Sequence, residues 1–145
     1  VGSEMCIRDR YNEVFLDKQN LERMFGCQIT GMAYPYGTYN DEVVQILKKC
    51  KIQYARSVVS SGAFKLQKNL LIFKPTCHHA DENIWELLEK FLKEKSEEKQ
   101  LFYIWGHSYE FDVNNNWKRM EEILDRLIGH NNIFYGTNRE VLLPC

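Results

Sequence analysis

The sequence predicts an α/β fold, a largely parallel sheet or barrel with helices packed outside it. Three observations predict it. Short apolar, strand-like runs alternate with segments of helical period along the chain. Each change of period is marked by glycine, proline or a capping asparagine or aspartate. No internal repeat or linker interrupts the alternation, so the 145 residues form one domain or a large piece of one.

Residues 1–10, VGSEMCIRDR, show neither period and do not lead into the helical pattern that begins at residue 12, so they are read as a non-native leader. Residues 11–145 carry the fold. Residues 12–25 predict a helix with Leu21, Met24 and Phe25 on one face and Gly26 at its stop. Residues 28–34 predict a strand ended by Pro35 and Gly37. Asn40 caps a second helix, with Asp41 and Glu42 in its first turn and Lys48 and Lys49 in its last. Its buried stripe is Val43, Ile46, Leu47 and Cys50.

Residues 53–59 predict a strand broken by Ser60, Ser61 and Gly62, and residues 70–73 another that stops near Pro75. Asp81 opens a third helix, with Ile84, Leu87, Leu88, Phe91 and Leu92 at helical spacing. Residues 101–105 are the clearest strand. Asn116 is expected to cap a fourth helix, carried by Trp117, Met120, Ile123, Leu124 and Leu127 and closed by Gly129. Residues 133–135 complete the set as a last strand.

Composition excludes several classes of function. Apolar content of 44% is enough for a packed core, and a net charge of −1 supplies no field for nucleic acid or an anionic membrane. No apolar run approaches the roughly 20 residues that span a bilayer. The five cysteines are widely spaced, with no C-x-x-C pair. That argues against a disulfide scaffold or zinc ribbon and points to a reducing, cytoplasmic setting.

In parallel α/β folds the loops after the strand C-termini hold the chemistry. Tyr34-Pro35-Tyr36-Gly37 follows a strand and precedes a helix. A backbone N–H held in such a turn can stabilise an oxyanion, although a rigid aromatic turn explains the same residues. His107 lies behind Trp105 and Gly106, just past an apolar strand, where a general acid or base would sit. Glu110 or Asp112 could orient it or bind a substrate hydroxyl. His78 and His79 are adjacent, so their side chains are expected to diverge, one lining the cleft and the other supporting its loop. A shared metal is not expected of them. Arg56, on a predicted strand, needs a carboxylate or a substrate group as partner unless it is exposed.

Taken in order, these segments resemble the polysaccharide deacetylase (NodB-homology) family. Residues 31–37, GMAYPYG, resemble its R-x-P-Y-G motif, and residues 101–112, LFYIWGHSYEFD, resemble its L-x-H motif. Residues 75–79, PTCHH, resemble a bacterial branch that keeps the histidine-tyrosine-glutamate run. The resemblance covers roughly residues 12–143 and implies the C-terminal portion of a distorted (β/α) barrel lacking its first strands. It implies a divalent metal, zinc or similar, bound by an aspartate and two histidines. A metal-bound water would attack an N-acetyl or O-acetyl carbonyl. It implies the Tyr36 N–H as oxyanion donor and His107 as the acid that protonates the departing amine. Tyr34, Pro35, Arg56, His78, His79, Trp105 and Glu110 would then face a carbohydrate or small amide substrate.

Two departures qualify this. Ala33 stands where most members carry an arginine that pairs with the catalytic base. No T-F-D-D-G run and no spaced histidine pair occur, so the metal ligands are expected to lie N-terminal to residue 12 in a longer parent. This chain by itself is then expected to hold no cofactor and to be inactive. The alternative is a non-catalytic carbohydrate-binding or scaffold domain of the same fold that has lost the triad.

Overall fold

The computed structural model describes the backbone of residues 4–143 and the side chains of residues 8–143. In chain order the first elements are α1 (Glu4–Phe25), β1 (Gly31–Ala33), a 3-10 turn (Pro35–Gly37), α2 (Asp41–Lys49) and β2 (Tyr54–Arg56). A second 3-10 turn (Leu70–Ile72), β3 (Cys77–His78), α3 (Ile84–Lys93) and β4 (Ile104–Trp105) come next. The chain ends with α4 (Ser108–Val113), α5 (Trp117–Leu127) and α6 (Asn138–Leu142). The fold is mixed α/β, and its named strand pairs are parallel. Gly31, Met32 and Ala33 lie in register with Tyr54, Ala55 and Arg56. Cys77 and His78 lie in register with Ile104 and Trp105. Among the described residues these are two small two-stranded sheets and not a closed barrel.

The chain divides into two compact units. The first comprises Val1–Val58, Gln67–Phe73 and Gly136–Cys145, and the second Val59–Leu66 and Lys74–Tyr135.

In the first unit α2 forms as its sequence dictates. The Asn40 side chain accepts from the Val43 N–H at 2.9 Å, and the acidic and basic residues fall at the favourable ends of the helix dipole. Ile46, Leu47 and Cys50 are buried with Tyr34, Ile52, Ala55 and Leu71. Helix α1 departs from expectation. It begins at Glu4, inside the expected leader, of which residues 1–3 lie outside the described residues. Its packed residues are Tyr11, Val14 and Phe15, spaced three and four apart, whereas Met24 and Phe25 are exposed. The helix is longer upstream, so its contact face lies there and not in its last turn.

Residues 70–73 are not a full strand. The Asn69 side chain accepts from the Leu71 N–H at 3.2 Å and folds the segment into a 3-10 turn. Phe73 alone reaches the sheet, donating to Ala55 O at 3.0 Å and accepting from the Ser57 N–H at 2.8 Å.

In the second unit α3 and α5 bury Ile84, Leu88 and Ile123 against Cys77. Helix α3 starts three residues past Asp81, whose carboxylate instead accepts from the Asn83 N–H at 2.9 Å. Residues 106–115, expected as a loop, contain α4. Asn116 occupies the N-cap position of α5, but its side chain makes no cap, and its Oδ1 is buried without a partner. Residues 133–135 pair with no strand. Phe134 is exposed, and the Ile133 N–H bonds back to His130 O at 3.1 Å as a turn. Cys27 is exposed, while Cys50 and Cys77 are buried, all three as free thiols. Burial pushes the Cys50 thiol up and the Cys77 thiol up to about 12. No described helix is long and apolar enough to cross a membrane.

Candidate functional site

The second unit gathers three histidines around one carboxylate. Strand β3 ends at His78, and β4 ends at Trp105, beside it in register. The chain then turns through Gly106 and His107 into α4, whose first turn carries Glu110. Glu110 Oε2 lies 2.6 Å from His79 Nε2 and 3.2 Å from His78 Nε2. The same oxygen accepts from the His107 N–H at 3.0 Å, and Oε1 lies 3.4 Å from His107 Nδ1.

The expected divergence of His78 and His79 does not occur. Their ring centroids are 4.3 Å apart, and both Nε2 atoms face Glu110. Side chains alternate along a continuing strand. Here the strand stops at His78, and the Asp81 N–H closes a turn onto His78 O at 3.0 Å, so alternation no longer applies. His79 is almost wholly buried, its ring 4.2 Å from that of Phe111. The room for it comes from Gly106, where a Cβ would lie 1.9 Å from His79 Cδ2.

A residue the sequence did not mark holds this turn in place. Arg119, on α5, donates to His79 O at 3.0 Å and to Asp81 O at 2.7 Å. It also lies over the Trp85 ring at 5.4 Å. It sits among Lys118, Glu121 and Glu122, and no local pattern separates it from an ordinary solvated face.

The electrostatics are set by these contacts. The His107 N–H first, then His79, hold the Glu110 carboxyl down at about 2, so it is ionised. Burial first, and His79 second, push His78 below its ordinary value, with Glu110 opposing them. His107 is half exposed, flanked by Trp105 at 6.0 Å and Tyr109 at 5.4 Å between centroids. Asp81 also lines an open cleft of about 460 Å³, of mixed polar and apolar lining, with Ser60, Ser61, Thr76, Leu87 and Lys90.

Two imidazoles and a carboxylate with ligand atoms within 4.8 Å of one another are a donor set that could hold a divalent metal. The surroundings do not fit one. A metal-bound imidazole donates its second ring N–H to an acceptor. Here the Ala80 N–H donates to His78 Nδ1 at 3.1 Å, which puts the ring proton of neutral His78 on Nε2, facing Glu110. The buried His79 Nδ1 has no partner, and its Nε2 stands at hydrogen-bonding distance from the carboxylate. Glu110 is held by hydrogen bonds from His79 Nε2 and the His107 N–H, with His78 Nε2 at ion-pair distance.

The remaining candidates lie in the first unit. Tyr34 is a core residue, its hydroxyl donating to Leu71 O at 2.7 Å and its pKa pushed up to about 12 by burial. Tyr36 has φ 55° and a side chain open to solvent. Pro35 starts the 3-10 turn, and Gly37, at φ 70°, would place a Cβ 2.3 Å from Val58. Arg56 is half-buried at the end of β2 and donates to Ser57 O at 3.1 Å. No family model, curated protein or solved structure matches the chain.

Proposed function

We propose that this chain is the C-terminal part of a metal-dependent deacetylase that hydrolyses an N-acetyl or O-acetyl group on a carbohydrate or related amide. The observation that carries the reading is the placement of His107. It follows a parallel strand directly, behind a glycine, with its Nδ1 3.4 Å from an ionised carboxylate and its ring half exposed. A second feature supports it. Ala33, where the family carries arginine, lies in register with Arg56. Residues in register on neighbouring strands share a face, so an arginine stands one strand over from the expected position.

The divalent metal of such an enzyme would be held by residues outside this chain. What this chain contributes is an acid. His107, protonated, would pass its Nε2 proton to the leaving nitrogen as the C–N bond breaks, giving acetate and the free amine. An unprotonated amide nitrogen is a very poor leaving group, so this proton is decisive.

The test is acetate release by the longer protein that joins this segment to its metal ligands. His107→Ala should lower kcat on an N-acetyl oligosaccharide by about 10²–10⁴-fold without changing metal content. The loss should be smaller on an O-acetyl ester, whose alkoxide leaves more readily. Near wild-type amide turnover in the variant would remove His107 from the reaction.

A further inference from the structure

We infer that Tyr109 binds substrate, as a stacking platform for the pyranose ring that carries the acetamide. The leaving group of the proposed reaction is then a sugar and not a small acyclic amine. The assignment of this sugar as substrate rests on the deacetylase reading, whereas the binding itself is measured without it.

The first step is to ask which half of the substrate lies beside His107. When the C–N bond of an acetamide breaks, the acetyl half stays with the attacking oxygen. The nitrogen departs with whatever it is attached to. An acid that protonates that nitrogen stands within hydrogen-bonding reach of it. In an N-acetylated sugar the nitrogen is one bond from the pyranose ring, so the groups that flank His107 meet the sugar. Two aromatic rings flank it. Trp105, the last residue of β4, is 6.0 Å away between centroids and nearly edge-on, at 77°. Tyr109, in the first turn of α4, is 5.4 Å away and tilted by 32°.

Tyr109 contributes nothing to the core. Phe111 is the buried residue of α4, and it packs on His79. Tyr109 stands two positions earlier, turned about 200° from it around the helix. It is 61% exposed, and Val113, one turn further along the same face, is 76% exposed. Helix formation does not call for it, since an aromatic residue is a poorer helix former than alanine. A sugar does. A pyranose with equatorial substituents presents a face of axial C–H groups, apolar and weakly positive, which complements the negative face of an aromatic ring. A small acyclic amide has no such face and would leave Tyr109 in water.

The test uses this chain and two probes. One is chitotriose, the trisaccharide of N-acetylglucosamine. The other is N-ethylacetamide, which carries the same amide without a ring. Chitotriose should shift the ring resonances of Tyr109 on titration, and saturation of the aromatic side chains should pass to its ring C–H protons. N-ethylacetamide should leave the Tyr109 resonances in place. Tyr109→Phe should keep the dissociation constant of chitotriose, and Tyr109→Leu, apolar but without a π face, should raise it about tenfold. Because Tyr109 is exposed, neither substitution disturbs the core. Tyr109 resonances unmoved by chitotriose would overturn the inference, and so would equal shifts by both probes. A Tyr109→Leu chain that binds chitotriose as tightly as the parent would do the same. In the longer protein, Tyr109→Leu should raise KM for an N-acetyl oligosaccharide about tenfold. Chitotriose bound at Tyr109 without any acetate release would end the deacetylase reading and leave the sugar site standing. Acetate release with an unchanged KM in Tyr109→Leu would end the site and leave the deacetylase standing.

Discussion

Two strand-end turns in this molecule solve the same problem by different means. Both follow a parallel strand, both use a glycine, and both lead into a helix. The turn at Pro35–Gly37 is held by its own backbone: the Gly37 N–H returns to Tyr34 O at 2.9 Å, and the Thr38 N–H returns to Pro35 O at 3.2 Å. The turn at Gly106–His107 is held by side chains, by Glu110 and by its partner His79, which lies far earlier in the chain. A turn built locally can be read from its residues. One built by remote side chains has to be seen.

The two glycines put this contrast to its hardest test. A Cβ at Gly106 meets the ring of His79, which is clamped by Glu110 and packed on Phe111 and cannot yield. Gly106→Ala should cost about 3 kcal/mol. At Gly37 the obstacle is the half-buried Val58, which can shift, and the φ of 70° adds its own strain. Gly37→Ala should cost about 2 kcal/mol. Urea midpoints measure both, and an equal or reversed order would show that the histidine clamp is softer than its distances suggest.

Acid separates the turns as well, because only the second depends on ionised groups. Glu110 is held at about 2 in the folded chain against an ordinary value of 4.5. A carboxyl lowered by folding stabilises the fold above its unfolded value, and that contribution disappears as pH falls through 4.5 towards 2. His78 is lowered below 6.5, so its neutral form also favours folding at higher pH, and this contribution fades as pH drops past 6.5. Both effects have the same sign. Urea midpoints should therefore fall in two stages on acidification, and Glu110→Gln should shrink the lower stage, leaving the smaller share of Glu22, Glu89 and Glu140, which are also lowered. A variant with the same acid limb as the parent would detach Glu110 from stability.

A slighter difference concerns the two asparagines at helix starts. Asn40→Ala removes a cap and should cost about 1 kcal/mol. Asn116→Ala removes no cap bond and a buried oxygen without a partner, so it should cost less, by the same urea titration.

The asparagine pair also marks how far the sequence reached. Asn40 and Asn116 look alike in sequence, since each precedes a helical stripe, and only the first caps. The stripe of α2, the break at Gly26 and the turn at Pro35 were legible because each depends on residues within a few positions. Parallel pairing was legible in kind but not in extent, because strand length depends on a distant partner. Residues 70–73 have strand composition, yet one asparagine side chain folds them into a turn. Residues 133–135 have it too and meet no partner strand. The site was half legible. His107 and Glu110 were marked by their place after a strand, whereas the convergence of His78 with His79 and the grip of Arg119 arise only from tertiary packing.

Among the described residues, two buried thiols have a use of their own. Cys50 lies in the core of the first unit and Cys77 in that of the second, and burial keeps both in the unreactive thiol form. A thiol reagent attacks only an accessible thiolate. Labelling at either position therefore waits until its own unit opens, while Cys27 reacts from the surface. Each described core thus carries a native thiol whose labelling reports the opening around it.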